Sequence, residues 1–332
     1  MACNQKGSKQ AGTTGQEQDS SRQKNASIRT ACALSEIVYC NDPSMRLDKY
    51  MPGWKIVWDP EAIDGNYAFI ATDGTSYALA IRGSLIEFSW AAFDNWIYND
   101  LNVASQKDWD HTNNISGARI SEGTYEGWQN LNKLKDKRTG KSLISFLQTN
   151  AADKKPLLIT GHSLGGNLAT VYASYLWKMT NNDINVITFA APAAGNRAFA
   201  DDFNTKFPNS LRIENTNDIV PKFPVSEKVA GLGSLYSLAP AASQIDVGYK
   251  NVTVKLDKVF KTLSTALELL RITNGISPYV QTNGVGNLVT IKLSGNNRKN
   301  EALDWFAEAG YQHGVERYAA ALGAPVINCD AK

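Results

Sequence analysis

The pentapeptide Gly161-His162-Ser163-Leu164-Gly165 places a serine between two glycines, at the point where one apolar run stops and another begins. Before it, Pro156 to Thr160 reads as a short buried strand. After it, Leu164, Leu168, Val171, Tyr172 and Tyr175 recur three or four residues apart, the period of an amphipathic helix. A chain that passes from strand to helix through one residue strains that residue's backbone and crowds the positions two away. Gly161 and Gly165 have no Cβ to collide there, and Gly166 extends the same tolerance. Ser163 is left at the apex, hydroxyl outward, beside a helix N-terminus whose unpaired N–H groups favour developing negative charge. G-x-S-x-G between a strand and a helix is the setting of a serine nucleophile. The plainer alternative, a glycine-rich turn with an incidental serine, accounts for the pentapeptide but not for its flanks.

A serine hydroxyl is a weak nucleophile until a base takes its proton, and that base is usually a histidine oriented by a carboxylate. The chain has 3 histidines. The elbow should throw the side chain of His162 away from Ser163. His111 lies in the polar stretch DWDHTNNISG and reads as a solvated loop residue. His313 follows the last sheet elements, where the order Ser…Asp…His puts the base. The acid should lie between. Asp218, in IENTNDIVPKFP, comes just past a strand, and Pro221 and Pro224 pin the loop behind it. Strand ends on that side of a parallel sheet are where such sites collect. Asp183, Asp201 and Asp202 precede or sit within helical segments, so position favours Asp218, against the reading of a turn-forming aspartate. An oxyanion needs two donors. Leu164 supplies one backbone N–H, and the loop after the strand in ALAIRGSLIEFSW offers the other at Ser84.

The elements that must hold these residues are legible in outline. With 332 residues, 43% hydrophobic and 20% charged, the chain can bury a large core. Net charge is +2, carried by the first 27 residues, so the rest lacks the basic face of a nucleic-acid binder. No apolar run is long enough to cross a membrane. The 4 cysteines and 3 histidines show no metal-site spacing, and no metal or other cofactor is implied. Residues 1–26 are polar and read as a disordered tail. Cys3 after a small residue, followed by that tail, is similar to a bacterial lipoprotein after signal cleavage, which would give a membrane tether and a cell-envelope location. Ser27 is the expected N-cap of the first helix, SIRTACALSEIVYC. Strands NYAFIATD and SYALAIRG meet at an Asp73-Gly74 turn. LIEFSWAAFDNWIYNDL is an aromatic-rich amphipathic stretch. GTYEGWQNLNKLKDKRTGKSLISFLQTN reads as helical with a break near Gly140. Strand INVITFAAP, helix NRAFADDFNTKF and strand LRIENTND follow the elbow, and helix YQHGVERYAAAL closes the chain. This alternation implies an α/β fold, a mainly parallel sheet with helices on both faces. Residues 27–332 form one domain on this reading. Residues 225–300, with helix VKLDKVFKTLSTALELLRI and strand NLVTIKLSG, look like an insertion in it.

Taken together, AIRGS with NWIYNDLN, GTYEGW, ITGHSLGGNLA, FAAPAAGNRAF, NTNDIVPKFP and the His313 segment resemble the class 3, fungal-type lipase family from about Ser27 to Cys329. The resemblance implies an α/β-hydrolase fold with Ser163 as nucleophile, Asp218 as orienting acid, His313 as base, and Ser84 with Leu164 as the oxyanion hole. It implies that the stretch after Ser84 is a lid, with Leu85, Ile86, Phe88, Trp90, Phe93, Trp96 and Ile97 as its apolar side, and that a disulfide joins Cys40 to Cys329. Cys32 is then a buried free thiol. The chain departs from the fungal pattern in a longer stretch between Ser84 and Trp96 and a longer one between Asp218 and His313. The expected function is a secreted or cell-envelope lipase hydrolysing acylglycerol esters at an oil–water interface, with no nucleic-acid partner. An esterase for soluble or plant-wall esters such as feruloyl esters is the alternative, and a non-catalytic surface lipoprotein the remote one.

Overall fold

Strands β2 (Ala68–Thr72) and β3 (Tyr77–Ile81) are buried at every position, so both faces of the sheet they belong to are covered. The computed structural model describes residues 11–83, 102–150, 154–180, 183–236, 238–249, 252–282 and 287–329. Chain order before these two strands gives β1 (Lys55–Trp58), and after them β4 (Gln106–Asp108), β5 (Arg119–Ser121), β6 (Leu157–His162), β7 (Ile184–Phe189), β8 (Gly195–Asn196) and β9 (Leu211–Asn215). The hairpin β10 (Asp246–Tyr249) and β11 (Val252–Lys255), then β12 (Tyr279–Val280) and β13 (Leu288–Ile291), complete the set among the described residues. The central sheet runs β1-β2-β3-β6-β7-β9-β13. From β3 onward its neighbours are parallel, while β1, β2 and β3 pair antiparallel. The β2–β3 turn is held by Asp73, whose Oδ1 accepts from the backbone N of Thr75 at 2.8 Å and of Ser76 at 2.7 Å, with Gly74 at φ +92°.

Period-2 alternation distributes the core. Ile70, Leu79, Ile81 and Ile159 face one side, where Leu168 and Tyr172 of the helix Leu164–Leu176 and Leu131 of the helix Glu122–Lys133 cover them. Phe69, Ala71, Ala78 and Ala80 face the other, under Leu34 and Ile37 of the helix Ala11–Ile37 and Val38 just after it. A further cluster centres on Phe223, Phe260, Trp305 and Phe306, and includes Ile219 and Val220 directly after Asp218.

The structure corrects four expectations. The first helix begins at Ala11, not at Ser27, so residues 11–26 are helical rather than disordered. No proline interrupts this run, and Gln, Glu, Arg, Lys and Ala favour helix. Ser27 Oγ donates back to Gln23 O at 3.1 Å instead of capping. Of the expected insertion at 225–300, Leu288–Ile291 is the edge strand of the central sheet, paired parallel with β9. The last helical stretch is two helices, Ala302–His313 and Val315–Leu322, divided at Gly314 (φ −53°, ψ 128°). His111 is packed rather than solvated: its ring lies 4.8 Å from Trp109, 4.7 Å from Tyr175 and 5.4 Å from Trp128.

Cys40 and Cys329 are bonded, and Cys32 is a buried free thiol. Four residues beyond Cys32, near the end of the same helix, Glu36 is buried. Burial, reinforced by the charge of Glu316 and opposed by a backbone hydrogen bond at Ile327, pushes its carboxyl up to about 8. A carboxyl whose folded-state value exceeds its unfolded value of 4.5 stabilises the fold fully below pH 4.5 and loses that contribution as pH rises through 8. The loss approaches about 1.4 kcal/mol per pH unit. Between pH 5 and 8.5 the wild-type melting temperature should therefore fall relative to that of Glu36→Gln, by on the order of 2 °C per pH unit. Melting curves that stay parallel across that range would show that Glu36 does not titrate there.

Candidate active site

β6 ends at His162, and the helix Leu164–Leu176 starts one residue later. Ser163 between them sits at φ 59°, ψ −131°, a strained conformation for a side chain other than glycine. Neighbouring backbone bonds enforce it: Ser163 N donates to Phe189 O of β7 at 2.9 Å, and Ser163 O accepts from Gly166 N at 3.0 Å. The hydroxyl makes no capping bond to its own helix. A Cβ on Gly161 would overlap the backbone of Gly165, and one on Gly165 would overlap the Ile81 carbonyl and come within 2.8 Å of Gly83 N. The two glycines let the new helix lie directly against the end of β3.

Asp218 follows β9 in a turn and is fully buried. A buried carboxylate needs its lone pairs filled. Its Oδ1 accepts from Val220 N at 2.9 Å, and its Oδ2 accepts from Tyr318 OH at 2.8 Å and from His313 Nδ1 at 2.8 Å. A carboxylate can only accept, so Nδ1 is the donor in this bond. Burial first, and then the charge of Asp218, hold the Tyr318 phenol well above its usual range, which keeps it a donor.

His313 is the last residue of its helix, where carbonyls lack partners within the helix. The ring of His162 fills that need: its Nε2 donates to His313 O at 2.8 Å, with the two ring centroids 4.4 Å apart. The carbonyl accepts, so this His162 nitrogen carries a proton. Burial, then the neighbouring His313, hold its pKa well below the ordinary imidazole value. The residue adjoining Ser163 thus supports the backbone of His313, which brings the elbow and the His313–Asp218 pair together. The competing carboxylates are elsewhere engaged or placed. Asp202 forms a buried ion pair with Lys206 at 2.7 Å, Asp201 is exposed, and Asp183 is exposed just before β7.

Leu164 lies at the helix N-terminus, half-buried. Ser84 and the stretch with Leu85, Ile86, Phe88, Trp90, Phe93, Trp96 and Ile97 lie outside the described residues. The residue before Ser84 is described: Gly83 N donates to the buried Tyr39 OH at 3.1 Å, and that hydroxyl donates to His162 O at 3.2 Å. Sequence reasoning missed both Tyr39 and Tyr318. The available signals were slight, a tyrosine next to Cys40 and another five residues after His313.

A nucleophile elbow on a mostly parallel sheet with helices on both faces defines an α/β-hydrolase fold. The family model for class 3 lipases matches residues 78–228. A secreted mono- and diacylglycerol lipase of Fusarium solani is 28% identical over 197 residues, covering 58% of this chain and 53% of that protein. A secreted mono- and diacylglycerol lipase of Penicillium cyclopium is 29% identical over 159 residues, covering 47% of this chain and 46% of that one. The crystal structure of M37 lipase superposes with a TM-score of 0.67 at 25% identity, over 90% of this chain and 94% of that one. Over residues 78–228 and in its fold the chain is similar to class 3 lipases. It spans about half the length of the two fungal relatives it matches.

Proposed function

We propose that the protein is a lipase that hydrolyses the carboxylic esters of acylglycerols. The observation that carries this reading is the bond of His313 Nδ1 to the buried Asp218 carboxylate at 2.8 Å, beside the strained Ser163 elbow. Ser163 Oγ attacks the ester carbonyl while His313 Nε2 takes its proton, and Asp218 stabilises the imidazolium that forms. Negative charge on the carbonyl oxygen is met by the Leu164 N–H at the helix N-terminus, with the Ser84 N–H as the second donor. Collapse of the tetrahedral intermediate breaks the bond to the alcohol, which leaves with the proton from His313. Water then repeats the sequence on the acyl-serine and releases the fatty acid. The names of the Fusarium solani and Penicillium cyclopium relatives support acylglycerols as substrates and secretion as the route. The Cys40–Cys329 disulfide also suits an oxidising compartment. Those relatives give no support to the tether through Cys3, which lies outside the described residues.

The test is a substrate panel: emulsified long-chain triacyl-, diacyl- and monoacylglycerols beside dissolved short-chain nitrophenyl esters, each with wild type and Ser163→Ala. Hydrolysis of at least one acylglycerol class, absent in Ser163→Ala, is the expected result. Turnover of the dissolved esters alone would move the protein to the esterases. No turnover of any ester by the folded wild type would make it a binding protein.

A further inference from the structure

Beneath His313, buried polar side chains from three chain segments bond to one another. Asn215, Gln312 and Glu308 are each almost wholly excluded from solvent. Asn215 Nδ2 donates both to the Gln312 carbonyl, at 2.8 Å, and to its side-chain Oε1, at 2.7 Å. Gln312 Nε2 donates to Glu308 Oε1 at 2.8 Å and to Ser294 O at 3.1 Å. Glu308 Oε2 accepts from Arg298 Nε at 2.9 Å. Asn215 Oδ1 accepts from Leu293 N and Asn217 N, both at 3.2 Å. Both amides therefore use both of their N–H donors and accept at their oxygen, and flipping either would set like groups against like.

This arrangement joins the candidate acid to the candidate base by a second route. Asn215 ends β9 three residues before Asp218, and Gln312 is the residue before His313. Asn215 N donates to Tyr318 OH at 2.8 Å, and Tyr318 OH donates to Asp218 Oδ2. The bonds close a ring through Asn215, Tyr318, Asp218, His313 and Gln312. We infer that Gln312 and Asn215 are positioning residues. They hold the peptide that carries His313 at a set distance from the strand that carries Asp218, and Glu308 with Arg298 fixes the outer end. The segment just after β13 thereby acts on the site through Gln312, with no contact to substrate required. A misplacement of about 1 Å in a catalytic group lowers rate by roughly a hundredfold, whereas ground-state binding of substrate is left alone.

The inference rests on the reading of His313 as the base, so the experiment includes Ser163→Ala on the same dissolved nitrophenyl ester. Gln312→Met keeps the volume and removes every amide bond. Gln312→Asn keeps the amide but is too short to reach Asn215 and Glu308 at once. For each folded variant, kcat per active site titrated with an organophosphate, KM and the organophosphate inactivation rate are measured. The expected result is a 10- to 100-fold fall in kcat and a matching slowing of inactivation, with KM within about twofold of wild type. A residue that only stabilises the fold would lower the melting temperature and leave kcat per titrated site unchanged, and that outcome overturns the inference. If Gln312→Met does not fold, Gln312→Asn decides on the same criteria. Unaltered turnover in Ser163→Ala would instead overturn the proposed mechanism itself.

Discussion

Ser163→Ala should lower ester hydrolysis by roughly 10⁴- to 10⁶-fold, with the protein still folded and substrate still bound. Alanine removes only the attacking oxygen, and the elbow is held by backbone bonds that do not involve the hydroxyl. His313→Ala should cost a similar factor, since the proton of Ser163 then has no acceptor. Asp218→Asn should cost less, because Asp218 orients and stabilises the imidazole rather than touching substrate. The three variants should be far from additive, as members of one unit. Steady-state kinetics on a dissolved ester, beside circular dichroism of each variant, reads the result. Near-wild-type turnover in folded His313→Ala would sink the assignment of the base.

Gly165→Ala should be among the most damaging single methyl groups that can be added to this protein. The added carbon would overlap the Ile81 carbonyl and stand 2.8 Å from Gly83 N and 2.9 Å from Arg82 C, all of them backbone atoms. Backbone at the end of β3 cannot rotate away as a side chain would, so the helix must retreat from the sheet or β3 must bend. A loss on the order of 4 kcal/mol or more in urea denaturation is expected. Any folded fraction should also be catalytically poor, because the same shift moves the Leu164 N–H. Gly166→Ala meets the Ala191 methyl at 2.9 Å as well as backbone, and serves as the neighbouring comparison. A Gly165→Ala variant within about 1 kcal/mol of wild type would mean that the elbow and β3 are not packed as described.

Much of the candidate site is legible in the chain because its logic is local. Crowding in a strand-to-helix turn acts between residues two positions apart, so Gly161, Ser163 and Gly165 announce the turn without reference to the rest of the molecule. With few histidines to choose from, chain order pointed to Asp218 and His313, and the structure brings that pair to 2.8 Å. The buried strands β2 and β3 were equally plain, since strands covered on both faces read as near-continuous apolar runs.

Other features depended on partners far away in sequence. Leu288–Ile291 could be read as a strand, but nothing in its residues says that it pairs with β9 rather than within an insertion; parallel pairing is settled by the edge that β9 leaves open. His162 looks idle beside the nucleophile until the end of the helix Ala302–His313 presents it with an unpaired carbonyl. His111 looks solvated because its neighbours in sequence are polar, while Trp128 and Tyr175, which enclose it, come from two later helices. Gln312 and Asn215 carry no pattern at all, being ordinary amides 97 residues apart. The sequence by itself determined the chemistry available and the turn that exposes it, because short-range sterics and residue type are written in neighbouring positions. Only the tertiary structure decided how Asp218 and His313 are held, because hydrogen bonds to buried carbonyls and carboxylates are made by whichever distant side chains the packing of sheet and helices brings there.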